Sequence, residues 1–179
     1  MKKHIYAYVA VGFIIQFVFM FLMIKAAWAD DVSVTTLKGI NHSNGSYAGS
    51  IAYAQDLPKG LNPWGLFFIE EQATVYTDPA VFVGSVGPGL EYNPTTRSYV
   101  RGTLGVSGMT RTTEELGGHF QFILKGGAGV KFTAFGNQFR VGPIYQHYSS
   151  AGIYSRNSGV DFVGIELGVE LPREYQIAD

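Results

Sequence analysis

The chain has 179 residues, 13 Lys and Arg against 14 Asp and Glu, a formal net charge of −1 and no cysteine. That balance leaves no basic stripe for nucleic acid, and the missing cysteines exclude disulfides and thiolate metal sites.

Lys2 and Lys3 precede an almost unbroken apolar run from Ile5 to Ile24, which leads to Ala27-Trp28-Ala29 and then Asp30-Asp31. A charged start, an apolar core and an A-x-A site predict a secretory signal peptide over residues 1–29. The run is also long enough to stay as an uncleaved membrane anchor. Residues 30–179 then form one domain with ten basic and fourteen acidic side chains, a net charge of −4.

No helical period follows Asp31. Eight runs of about ten residues, rich in Val, Ile, Phe, Tyr, Gly and Thr, are separated by turn residues. They fall near Val32–Lys38, Ser46–Gln55, Gly65–Tyr76, Ala80–Tyr92, Ser98–Gly108, His119–Thr133, Gln138–Ser149 and Val160–Leu171. Turn signals lie at Asp78-Pro79, Asn93-Pro94 and Gly136-Asn137. An even-numbered meander of this kind predicts an all-β, antiparallel up-and-down barrel.

The last run decides between a soluble and a membrane barrel. Val163, Ile165, Leu167, Val169 and Leu171 share one face, while Gly164, Glu166, Gly168 and Glu170 share the other. A soluble barrel keeps its bulk inside and its charge outside. Lipid outside and a small polar interior fit this pattern better, so the fold class expected is an eight-stranded transmembrane β-barrel. Closure also leaves no unpaired strand edge in hydrocarbon. Trp64, Tyr76, Tyr92 and Tyr99, at strand ends, are expected to form aromatic girdles. With both termini periplasmic, the connections after the even strands should be short, and Leu57–Trp64 is longer than that rule allows.

Strand seven carries His147 and Ser149 on one face near the outer interface, about 6 to 7 Å apart. In the hairpin that follows, a loop centred on Tyr154 makes paired residue numbers sum to 308, which sets His147 opposite Asp161. Asp161 has the parity of the aliphatic stripe, so all three residues should face outward. A carboxylate could there orient the imidazole while its other nitrogen faces the serine. Polar residues merely sitting above the hydrocarbon band give the same pattern, and spacing alone leaves both open.

The run His147-Tyr148-Ser149-Ser150-Ala151-Gly152-Ile153, followed by Asn157-Ser158-Gly159-Val160-Asp161, resembles the signature of the lipid A 3-O-deacylase (PagL-type) family. Outside this hairpin the resemblance is one of architecture. It implies an outer-membrane hydrolase that removes the ester-linked hydroxyacyl chain at position 3 of lipid A in the lipopolysaccharide of the outer leaflet, with no metal or other cofactor. It also implies Ser149 as nucleophile, His147 as general base and Asp161 as the acid that orients it. The family often has glutamate at the last position and asparagine after the nucleophile. Here Ser150 stands in that second place, so the side-chain oxyanion donor would be weaker, with Ser150 and the N–H groups of Ala151 and Gly152 as candidates.

Lys38, Arg111 and Arg156 lie near outer loops, where solvated charge accounts for them and lipid A phosphates are a second reading. Asn41-His42-Ser43-Asn44 reads as loop polarity, and Gly84–Gly89 as strand bends without the helix a phosphate loop needs. Glu70-Glu71 and Glu114-Glu115 are neighbours whose side chains diverge on a strand. The competing function is a non-enzymatic barrel serving structure or adhesion, which has no reason to align these three residues. An acyltransferase barrel would keep its acyl chain in the lumen.

Overall fold

The computed structural model of the protein describes residues 30–41, 46–77 and 80–171. The signal segment 1–29 and the Asp78-Pro79 turn lie outside the described residues. Eight strands run in order: β1 Asp31–Ile40, β2 Tyr47–Asp56, β3 Phe67–Thr77, β4 Ala80–Thr95, β5 Ser98–Met109, β6 Phe120–Ala134, β7 Asn137–Ser149 and β8 Val160–Glu170. Each pairs antiparallel with its neighbours, and β1 closes on β8 to form a barrel. The described residues contain no α-helix.

The period of two in the sequence becomes inside and outside. Along β8, Val163, Ile165 and Leu167 are exposed on the outer wall, while Glu166 and Phe162 are buried. The outer wall continues through Val34, Val75, Val86, Leu104 and Leu124. An apolar belt on a closed barrel is what a bilayer requires.

The interior differs from the small polar lumen the sequence suggests. It has two layers. Toward the chain termini Lys125 Nζ lies 3.0 Å from Glu70 and 2.9 Å from Glu166, Arg101 reaches Glu70 at 3.0 Å, and Lys131 bridges Glu91 and Glu170 at 2.6 and 2.8 Å. Arg140 joins Asp31 and Glu166. Toward the outer loops Leu37, Val81, Val83, Leu116, Tyr148 and Phe162 form an apolar core. An eight-stranded barrel is just wide enough for side chains to fill, and both layers do so.

Two expected girdle residues belong to that filling. Tyr76 is 4% exposed and packs on Phe162 with ring centroids 5.0 Å apart, and Tyr99 is 2% exposed. Their parity sets them inward. Trp64 and Tyr92 are on the surface as expected.

The turns also refine the expectation. Asn93-Pro94 lies within β4, where the register against β5 shifts between Tyr92 and Thr95. A residue without an N–H suits such an irregularity. The β6–β7 turn centres on Phe135 and Gly136, at φ 52° and 78°, the left-handed pair that a two-residue hairpin needs. The long connection 57–66 is held by Asn62. Its side chain accepts from the N–H groups of Leu66 and Phe67 at 2.8 and 3.1 Å and donates to Phe67 O at 2.7 Å, so length here does not mean disorder.

Candidate functional site on the outer wall

β7 and β8 pair in the register whose residue numbers sum to 308, with His147 opposite Asp161. His147 Nδ1 and Asp161 Oδ1 are 2.7 Å apart. Because the carboxylate only accepts, Nδ1 carries the proton, and in the neutral imidazole the lone pair is then on Nε2. Pro143, Tyr145, His147 and Ser149 alternate with the buried Ile144, Gln146 and Tyr148, so His147 and Ser149 share the outward face. Ser149 is half-buried, and no hydrogen bond joins it to His147. Such bonds are often long before substrate arrives.

Asp161 has further donors that sequence reasoning did not find. Tyr145 Oη donates to the same Oδ1, and Asn41 Nδ2 donates to Oδ2 at 3.0 Å. Tyr145 lies two residues before His147 and shares its face, which is the signal a parity argument offers. Asn41 stands at φ 55°, just past β1, and its position beside β8 follows from barrel closure, which a local reading does not see. Each hydrogen bond to a charged group contributes about 1.5–3 kcal/mol, so protein donors replace much of the water that a carboxylate on a lipid-facing wall forgoes.

Gly159 leaves room for the imidazole. It is buried at φ 73°, and a β-carbon there would stand 2.8 Å from His147 Cε1. The loop 150–159 leans on the neighbouring loop 110–119. Ser158 N donates to Glu115 O at 2.9 Å, and Gly117 and Gly118 lack the side chains that would strike the Arg156 backbone and the Tyr154 ring. Leu116 in turn is anchored in the core, fully buried, with Gln121 donating to its carbonyl at 3.1 Å.

The three oxyanion candidates are placed differently from one another. Ser150 is 0% exposed and its Oγ has no hydrogen-bond partner. Ile153 N donates to Ser150 O at 3.0 Å, closing a turn with Ala151 at φ 50° and Gly152 at φ 83°. The N–H groups of Ala151 and Gly152 stay unpaired in that exposed turn. Ser150 N donates to Asn157 Oδ1 at 2.6 Å.

Elsewhere, Glu70 points into the lumen and Glu71 outward, as neighbours on a strand must. Lys38, Arg111 and Arg156 are exposed. His42, Ser43 and Asn44 lie outside the described residues. Among the described residues no cluster of His, Asp and Glu could hold a metal ion.

A closed barrel with an apolar outer wall, carrying a histidine–carboxylate pair and a serine on that wall, is an outer-membrane barrel with the parts of a hydrolase. The chain belongs to the lipid A 3-O-deacylase (PagL) family, whose model matches residues 40–170. Among solved structures it is similar to the crystal structure of the outer membrane enzyme PagL, at 20% identity and a TM-score of 0.64, covering 79% of this chain and 99% of that one. It also resembles a de novo designed transmembrane β-barrel, at 12% identity and a TM-score of 0.52 over 80% and 97% of the two chains. Neisserial surface protein A matches at 12% identity and a TM-score of 0.50, over 79% and 95%. No curated protein matches the chain significantly.

Proposed function

We propose that this member of the lipid A 3-O-deacylase family hydrolyses the ester that carries the 3-hydroxyacyl chain at position 3 of lipid A, with Ser149 as nucleophile, His147 as general base and Asp161 as orienting acid. The reading rests on the 2.7 Å bond between His147 and Asp161 on the outward face, two residues from Ser149, in a chain of this family. The carboxylate fixes the tautomer that leaves Nε2 as the base.

Ser149 Oγ attacks the ester carbonyl carbon as its proton passes to His147 Nε2. The resulting oxyanion collapses, the bond to the sugar oxygen breaks, and the imidazolium returns its proton to that oxygen. Water, deprotonated by the same histidine, then attacks the acyl-enzyme, and a 3-hydroxy fatty acid leaves while Ser149 regains its proton. The balance is one ester and one water to one acid and one alcohol. Lipid A acyl chains already lie against the outer wall, so membrane residence supplies much of the proximity.

Residues 1–29 are read as a cleaved signal peptide and residues 30–179 as the mature barrel. A weaker oxyanion site, expected from Ser150 in place of asparagine, lowers the rate without moving the site.

The test is mass spectrometry of lipid A incubated with the purified protein in detergent. Wild type should release one 3-hydroxyacyl chain, and Ser149→Ala and His147→Ala should lower the rate by about 10⁶-fold. Intact lipid A with wild type under several detergents would return the chain to the structural or adhesion barrels.

A further inference from the structure

Resting on the reaction proposed above, we propose that four side chains joined across the lumen, Gln72, Thr74, Gln146 and Tyr148, are positioning residues that hold His147 and Ser149 in place from inside the barrel. Gln72 Nε2 donates to Gln146 Oε1 at 3.0 Å and to Thr74 Oγ1 at 2.7 Å, so both of its N–H groups are used. Gln146 Nε2 donates to Tyr148 Oη at 2.5 Å, and the hydroxyls of Tyr148 and Thr74, 3.3 Å apart, close the ring. All four residues are buried. Gln72 and Thr74 belong to β3, which stands across the barrel from β7 with three strands between them on either side.

Gln146 and Tyr148 flank His147 in the chain and point the opposite way. On a strand, fixing the inward side chains on either side of a residue fixes the direction of the outward one between them. The lipid side offers no comparable hold, because hydrocarbon has no hydrogen-bonding group to give. The ladder thins here as well. Tyr148 pairs with Ile123 of β6 and with Val160 of β8, but Ser149 pairs only with Phe122 of β6. Tyr148 is thus the last residue of β7 held by both neighbouring strands and by the lumen, and the nucleophile comes next. Its ring also meets Tyr76 edge-on, with centroids 5.8 Å apart. Stability alone does not call for a polar ring at this level. On β3 it lies between Glu70 of the ionic layer and Tyr76 of the apolar core, and Gln72 Oε1 is sealed without a partner. Apolar side chains of like size would avoid that desolvation cost, whereas a closed set of directional bonds locks the rotamers on which a site's geometry depends.

The experiment compares full-length wild type, Gln72→Met, Gln146→Met, their double variant, Tyr148→Phe and Lys125→Met in detergent. It measures kcat and KM for release of 3-hydroxy fatty acid from lipid A and the denaturant unfolding of each protein. Small misplacements at the reacting atoms are costly, so kcat should fall by about ten- to a hundredfold in the ring variants, with KM within about threefold of wild type. The double variant should be no slower than the slower single one, because either substitution already breaks the Gln72–Gln146 bond. Lys125→Met is the structural control, since it removes the cation shared by Glu70 and Glu166 and touches none of the four. It should lose more stability than any ring variant and keep kcat within about twofold of wild type. Should Gln146→Met fail to fold, Gln72→Met on the far wall and Tyr148→Phe are read by the same criteria. Wild-type kcat in folded Gln72→Met and Tyr148→Phe overturns the assignment. So does a raised KM at constant kcat, or a kcat that tracks lost stability alike in the ring variants and in Lys125→Met. Those outcomes leave the reaction standing, whereas wild type inactive on lipid A overturns the reaction and the assignment together.

Discussion

Glu166 and Asp161 lie on one strand, five residues apart, and the fold treats their charges in opposite ways. Glu166 faces inward, 2% exposed, between Lys125 at 2.9 Å and Arg140 at 3.2 Å, with Ser33 Oγ at 3.4 Å. Asp161 faces outward and is held by an imidazole, a phenol and an amide. Inside, charge is met by charge within a network sealed from solvent. Outside, side-chain donors steady the carboxylate, and one of them is the imidazole beside Ser149. A network of opposite charges gives stability and register, whereas reactivity needs one valence left open.

The comparison is broken most severely by Asp161→Ala. Release of the acyl chain should fall by about 10⁴-fold, roughly 5–6 kcal/mol of transition-state stabilisation, and still remain measurable in long incubations because the orienting acid is the least demanding member of such a trio. The unfolding midpoint should fall only modestly, because Tyr145 and Asn41 are exposed and turn to water when the carboxylate is gone. Lys125→Met does the reverse. It leaves Glu70 and Glu166 without their shared cation and should lower the unfolding free energy by about 3–5 kcal/mol in a denaturant titration. Activity per folded molecule should stay within twofold of wild type.

Tyr145→Phe sharpens the contrast. It deletes one bond to a carboxylate that Asn41 and His147 still hold, so the loss should approach the lower end of 1.5–3 kcal/mol and appear as a roughly tenfold slower turnover at unchanged KM. The smallest expected effect belongs to Gly159→Ala. A methyl group at φ 73° costs about 1–2 kcal/mol of backbone strain and presses on His147, so a modest drop in melting temperature should accompany slower turnover. A variant with lower stability but wild-type turnover would show that the ring has space to yield.

Much of this arrangement is legible in the amino-acid order because a strand has only two faces. The alternation from Val163 to Leu171 gives the outer wall, and the constant sum across the last hairpin gives the His147–Asp161 pairing. What escapes the alternation is whatever depends on closure or on loops. Asn41 meets Asp161 only because β1 returns to β8, and Asn157 reaches Ser150 across a loop whose path no period records. Tyr76 and Tyr99 fail as girdle residues for a different reason. An aromatic near a strand end suits either the interface or the lumen, and parity, not residue type, makes the choice.

Because His147, Ser149 and Asp161 stand on the outside of the barrel, the proposed reaction has the ester reach them by lateral diffusion in the leaflet, where concentration is a mole fraction, not a molarity. In mixed micelles, adding inert detergent at fixed total lipid A should slow turnover by surface dilution, while diluting the whole suspension with buffer should leave the rate per enzyme nearly constant. An inhibitor would be ranked first by its partition coefficient into the membrane and only then by its fit to the serine.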